Sequence, residues 1–201
     1  MSEKQLLQEF TLLEYNPDDV KRSLKLGKNV ILSGIMQRAG IRNANNRIYP
    51  RNILEREIDK FHQMIKERRA LGELDHPESA LVNLRNVSHR VNEIYWDGDD
   101  LKGKIEILNT SAGKELRSLV EDNVLVGISS RGLGSTTHTN EGVDLVNDDF
   151  QLVAFDVASN PSTFGSFISP LKESREYEIR EDGRIRRLFE ISRQLDELIR
   201  G

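Results

Sequence analysis

The sequence predicts an α+β, mainly β fold: an antiparallel or mixed sheet closed into a barrel and decorated by helices. Two observations lead there. Runs rich in β-branched and aromatic residues outnumber helical segments. Several of those runs are joined by short turns, where a parallel sheet would need crossover helices.

The elements follow in order. Up to Gly27 the chain is polar with short apolar clusters, LLQEF and TLLEY, and reads as a loosely held segment. NVILSGIMQ, residues 29–37, reads as a strand. A loop rich in Asn, Arg and Gly (RAGIRNANNRIYP) then leads to Pro50, whose missing N–H costs nothing in the first turn of a helix. Leu54, Ile58, Phe61 and Ile65 recur at helical spacing and predict a helix over 50–70. After LGELDHPESA, the runs NVSHRVNEIYW and LKGKIEIL flank DGDD and predict a hairpin. Thr110 or Ser111 can cap a short helix with Leu116, Leu119 and Val120 on its buried stripe, closed by Asn123. VLVGIS and FQLVAFDVAS supply two further strands, the second ending at Asn160-Pro161. From Leu171 onward, eight basic and eight acidic residues accompany Leu188, Ile191, Leu195 and Leu198 at helical spacing. This tail reads equally as a docked terminal helix or as a detachable, partner-binding one. The expected organisation is a segment 1–28, a main domain 29–170 and a tail 171–201.

Composition removes several classes of function. With 29 basic and 33 acidic residues the formal net charge is −4, which offers no electrostatic footprint for nucleic acid or a membrane surface. No apolar run is long enough to span a bilayer, and MSEKQLLQEF lacks the order of a secretory signal. The absence of cysteine excludes disulfides, thiolate metal sites and a Cys nucleophile. The expectation is a soluble intracellular protein.

The stretch LVGISSRGLGS, residues 125–135, carries the chemistry. On a strand Val124, Val126, Ile128 and Ser130 share a bulky face suited to the core, and Leu125, Gly127 and Ser129 share the other. The second face is emptied at Gly127, leaving room for a substrate backbone beside Ser129. If one serine is a nucleophile, alternation favours Ser129. The glycines of Arg131, Gly132, Leu133 and Gly134 permit a turn that aims backbone N–H groups at an oxyanion. A plain strand ending in a Gly turn fits the same residues.

A serine hydroxyl needs a base at neutral pH. His62 lies in the long helix, His89 in a hairpin strand, and His138 in THTNEG, an exposed turn. His76 differs: in ELDHPES, Pro77 holds it extended in a loop that can line a cleft. A third group usually orients the imidazole. In FQLVAFDVAS, Phe150, Leu152, Ala154, Asp156 and Ala158 share one strand face, so Asp156 interrupts an apolar side and requires a partner. His76 would suit, and so would the turn at Asn160. Asp75 and Glu78 compete by proximity.

GELDHP (residues 72–77), VGISSRGLGS (126–135), TNEG (139–142) and a final strand with Asp then Pro-Ser closely resemble the prohead proteases of large contractile-tailed bacteriophages. RNANNRIYPRNILE (42–55) also resembles that family's segment before its long helix, and the likeness spans roughly 29–170. The resemblance implies a serine endopeptidase packaged with the scaffold in the interior of the phage prohead, in the host cytoplasm. It implies an assemblin-like β-barrel surrounded by helices, as in herpesvirus assemblin. Scaffold or core proteins and the major capsid protein are the implied substrates, with a homo-oligomer possible and no nucleic acid or membrane partner. The family's histidine matches His76 and its nucleophile Ser129. Its third position is histidine in herpesvirus relatives and acidic in other phage members; here it matches Asp156.

The implied mechanism is acyl transfer. His76 takes the Ser129 proton and later protonates the leaving amine, Asp156 holds the imidazole, and the Arg131–Gly134 region receives the oxyanion. No metal or cofactor is needed. The family's preference for cleavage after aliphatic-x-Glu points to self-cleavage after Glu9, Glu14, Glu173, Glu181 and Glu190. The alternative is a catalytically silent, scaffold-associated structural protein of the prohead core.

Overall fold

The computed structural model describes residues 4–75 and 79–158. The expected tail, the triplets ending at Glu173, Glu181 and Glu190, and the strand end at Asn160-Pro161 lie outside the described residues.

Local chemistry places several elements where the sequence predicts them. The first long β-rich run forms β2 (Ile31–Arg38). Pro50 stands at the N-cap of α2 (Arg51–Lys66), whose inner face buries Ile53, Leu54, Ile58 and Phe61. This helix stops short of residue 70, because Glu67 caps it and Arg68 turns to φ +57°. The hairpin consists of β5 (Val87–Asp97) and β6 (Asp100–Ile107), with Gly98 at φ +60° in the turn. The Thr110 hydroxyl accepts from the Gly113 N–H at 3.0 Å and caps α3 (Ser111–Glu121). Leu116 and Val120 are buried, whereas Leu119 is 37% exposed and lies off the stripe. Asn123, at φ +60°, ends the turn that follows.

The N-terminal segment is where the expected organisation needs correction. Residues expected to be loosely held form β1 (Gln5–Glu14) and α1 (Pro17–Lys25). β1 pairs with β2 on one side and with β7 (Gly127–Gly134) on the other, so it is a central strand of the domain. The boundary at residue 28 therefore divides nothing.

With β4 (Leu71–Glu73) and β10 (Gln151–Ala158), these strands form a seven-stranded sheet in the order β10-β7-β1-β2-β6-β5-β4. Every ladder in it is antiparallel. An odd number of alternating strands leaves the two edges running the same way. The edges do touch, through one parallel bridge between Leu74 and Val157 and the Asp75 N–H donating to the Val157 carbonyl at 2.7 Å. The expected closed barrel is therefore corrected to an open antiparallel sheet whose edges meet at one bridge among the described residues, without a ladder along the seam. A small second sheet, β3 (Arg47–Ile48), β9 (Asp144–Val146) and β8 (Thr136–His138), lies in the order β3-β9-β8.

The concave interior is apolar. Leu32, Met36, Leu101, Ile105, Ile128, Phe155 and Val157 pack with Phe61 of α2 and Leu116 of α3. Phe61 meets Phe155 edge-on at 5.2 Å between centroids. Burial of a side chain of this size contributes about 2–3 kcal/mol, so α2 is held to the sheet mainly by its apolar face. A second core joins Leu7, Tyr49, Ile53, Leu54, Val146 and Phe150.

Candidate active site

Strand β7 separates the two serines. Val126 and Ile128 enter the main core, and Ser130 follows them inward, where its Oγ accepts from Gln37 Nε2 at 2.9 Å. Ser129 faces the opposite side of the sheet, fully buried, in register with Asp156 of β10 and Phe10 of β1. Its Oγ makes one long contact among the described residues, 3.5 Å to the Ser130 carbonyl. The alternation expected from sequence is therefore present, and the two hydroxyls have different environments.

Two details of the strands differ from expectation. The space over Gly127 is filled by the Phe10 ring: a Cβ on Gly127 would lie 1.8 Å from Phe10 Cζ. On β10 the pairing register shifts between Leu152 and Ala154, so Leu152 pairs with Gly132 and Ala154 with Arg131. The bulge puts Leu152 and Ala154 on opposite faces, so the uninterrupted face from Phe150 to Ala158 does not exist. Phe155 and Val157 enter the core instead, and Asp156 faces outward with Ser129 and Arg131.

Arg131–Gly134 does not turn. The strand runs through Gly134, with Arg131, Gly132 and Leu133 paired to β1 on one side and β10 on the other. Their amides belong to ladders, which corrects the reading of this stretch as a glycine turn offering free oxyanion donors. The Arg131 side chain is committed as well. It is fully buried: Nε donates to Asp156 Oδ2 at 2.6 Å, and Nη2 donates to Asp156 Oδ1 at 3.1 Å and to Glu73 Oε1 at 2.9 Å. Nη1 donates to the carbonyls of Ser79 and Leu81 at 2.5 and 3.4 Å.

Two carboxylates thus share one guanidinium with no exposure of any of the three. A buried charge is tolerated only when paired and hydrogen-bonded, and the backbone assists: the Glu73 N–H donates to Asp156 Oδ1 at 3.0 Å. Glu73 Oε2 has no partner among the described residues. A carboxylate offers about four lone-pair positions. Arg131 and the Glu73 N–H use three of those on Asp156, leaving room for one more donor.

His76 lies outside the described residues. The chain enters it from Asp75 and leaves toward Ser79, both tied to the Ser129–Asp156 side of the molecule. His89, passed over in the sequence, is fully buried at the same seam. Its Nε2 lies 2.9 Å from the Phe155 carbonyl, which can only accept, so Nε2 carries the proton and Nδ1 accepts from Ser88 Oγ at 2.8 Å. Burial pushes this imidazole down to about 4, and the Asp156 charge opposes the shift. His89 is therefore neutral and structural. His62 is half-buried on α2, and His138 pairs with Asp144 at 2.8 Å on the surface.

Glu9 is also not what its triplet implies. It is buried in β1, with Oε1 accepting from Arg47 Nη1 at 3.0 Å and Tyr49 Oη at 2.9 Å, and Oε2 accepting from Asn45 Nδ2 at 2.6 Å. Burial, and then the Glu9 charge, holds the Tyr49 hydroxyl well above its usual range. The bonds after Glu9 and Glu14 lie within or at the end of a central strand, where cleavage would require the sheet to open. Self-cleavage after Glu9 or Glu14 thus runs against the intact sheet. Glu73 is the site residue that the sequence reading missed. GELDHP contains it, but nothing local marks it as the partner of an arginine 58 positions away.

A solved structure of the bacteriophage T4 capsid assembly protease, gp21, superposes with a TM-score of 0.69 at 27% identity, covering 79% of this chain and 99% of that one. The prohead core protein protease of Enterobacteria phage T4 is 34% identical over 153 residues, 74% of this chain and 72% of that protein. The family model for the prohead core protein serine protease matches residues 3–176, and the chain belongs to that family. It is a phage prohead serine protease.

Proposed function

We propose that Ser129 is the nucleophile, His76 its general base and Asp156 the group that orients the imidazole, in an endopeptidase that cleaves scaffold and capsid proteins after aliphatic-x-Glu during prohead maturation. The observation that carries this reading is the contrast within β7. Ser130 Oγ is hydrogen-bonded in the core, whereas Ser129 Oγ has no short partner among the described residues and lies in register with Asp156. Support for His76 comes from its flanks: Asp75 and Ser79 bond to β10 and to Arg131.

In the reaction Ser129 Oγ adds to the scissile carbonyl as His76 accepts its proton. The tetrahedral intermediate collapses to an acyl-enzyme while His76 protonates the departing amine. Water, activated by the same imidazole, then releases the new carboxyl terminus. Asp156, already charge-paired with Arg131, stabilises the transient imidazolium with its remaining lone pair. The oxyanion donors lie outside Arg131–Gly134. Self-processing falls on the tail, after Glu173, Glu181 or Glu190, and the enzyme acts inside the prohead in the host cytoplasm.

The test is co-expression with the cognate scaffold protein and mass spectrometry of the products, with wild type beside Ser129→Ala and Ser130→Ala. Fragments ending in aliphatic-x-Glu are expected from wild type and from Ser130→Ala. Loss of the nucleophile lowers the rate by about 10⁴-fold or more, so none are expected from Ser129→Ala. Equal fragments from Ser129→Ala would overturn the assignment. No fragments from any variant in assembled proheads would favour the silent structural role.

A further inference from the structure

We infer that Arg131 is a positioning residue, which ties both flanks of His76 to the strand that carries Ser129. The inference rests on the His76–Ser129 reading above, but the tie itself is measurable without catalysis.

The segment after His76 has little apolar anchorage: Leu81 is 79% exposed and Leu84 is 73% exposed. Polar contacts therefore set where this chain lies, and they converge on one guanidinium. Before His76, Glu73 Oε1 accepts from Arg131 Nη2 at 2.9 Å. After it, the Ser79 and Leu81 carbonyls accept from Nη1. Glu73 Oε1 also accepts from the Asn83 N–H at 3.0 Å, so the segment is closed on itself at the same carboxylate. The third edge of the guanidinium holds Asp156, which is in register with Ser129.

Arginine has a rigid planar fork of five N–H donors, and here its three nitrogens reach two carboxylates and two carbonyls. A lysine ammonium retains the charge but cannot span those directions. Arg131 is also two residues from Ser129 on the same strand face, so a displacement of the segment registers directly at the serine. The arginine that follows the two serines in sequence is thus spent on geometry instead of on the oxyanion.

The experiment uses the full chain with Arg131→Lys, Glu73→Ala and Glu73→Gln. Glu73→Gln keeps Oε1 as acceptor and serves as the conservative rescue. Glu73→Ala leaves the Arg131–Asp156 pair intact and covers the case in which Arg131→Lys fails to fold. Two quantities are read: the pH profile of Ser129 labelling by a fluorophosphonate, and hydrogen exchange of a peptide spanning 79–85.

Expected for Glu73→Ala, and for Arg131→Lys where circular dichroism shows it folded, is labelling slowed at least 10-fold with a displaced pH midpoint. Exchange over 79–85 should rise at least 10-fold, and Glu73→Gln should stay within a few-fold of wild type on both readouts. A purely structural role would lower the labelled amount and leave the midpoint in place, which would overturn the inference. Unchanged exchange over 79–85 in the folded variants would overturn it too. If wild type is not labelled at Ser129, the nucleophile reading fails, and the exchange readout alone then decides whether the tie exists.

Discussion

Gly72→Ala should be among the most damaging small substitutions in this chain. A Cβ at position 72 would lie 2.0 Å from the Phe155 carbonyl oxygen and 2.3 Å from His89 Nε2. Cβ contacts below 3.0 Å essentially never occur, so β4 must move away from β10 by about 1 Å, against backbone that cannot rotate aside. That displacement stretches the His89–Phe155 bond at 2.9 Å, the Glu73–Asp156 bond at 3.0 Å and the Asp75–Val157 bond at 2.7 Å. Overpacking costs about 1–3 kcal/mol, and each weakened buried hydrogen bond about 0.5–1.5 kcal/mol. A loss of about 3–5 kcal/mol follows, measured by urea denaturation with the m-value compared between variants. Because the seam lies next to Ser129, fluorophosphonate labelling should fall before the protein unfolds. A change within 0.5 kcal/mol, or full labelling in a destabilised protein, would refute the reasoning. Gly134→Ala, whose Cβ would meet Phe150 at 3.0 Å or more, should be much milder.

His89 gives a pH dependence of definite sign. Its folded value of about 4 lies below the unfolded 6.5, so the unfolded chain binds more protons. Stability from this group is therefore complete above about pH 6.5 and declines as pH falls toward 4, by about 3 kcal/mol in all. Denaturation curves between pH 7.5 and 5 should show the decline, and a ¹³C-labelled His89 titrating near 6.5 in the folded protein would refute it. Asp156→Asn should lower the His89 value further, because the Asp156 charge now raises it. Glu9→Ala should cost about 2–4 kcal/mol by leaving the Tyr49 hydroxyl and the largely buried Arg47 unpaired; Glu9→Gln should recover much of it in the same denaturation assay. Thr110→Ala should cost about 1 kcal/mol through loss of the α3 cap, read as a lowered thermal midpoint.

Elements governed by neighbouring residues could be read from the sequence, and those governed by distant ones could not. The β5–β6 hairpin, the Pro50 start of α2 and the Thr110 cap all depend on a few adjacent positions. β1 depends on strands elsewhere. Its paired leucines break the two-residue alternation, and Glu9 looks like an exposed charge until Asn45, Arg47 and Tyr49 are brought to it. The site divides similarly. The placement of Ser129 and Ser130 on opposite faces follows from period-two alternation and is reproduced in the sheet. The grouping of Glu73, Arg131 and Asp156 comes from three separate strands and leaves no periodic trace. The bulge on β10 likewise hides behind an unbroken apolar run.

The placement of β1 has a consequence for timing during synthesis. Thr11 pairs with Ile128 and Phe10 with Ser129, so the strand made first waits for one made about 120 residues later. At 5–20 residues per second a ribosome needs roughly 6–25 s to cover that distance, far longer than a hairpin such as β5–β6 takes to form. Until then β1 has no partner along the edge that β7 will cover, and that edge is in need of protection. The surroundings of Ser129 are therefore assembled by one of the most distant pairings among the described residues, and a nascent or truncated chain lacking either strand cannot assemble this arrangement around Ser129.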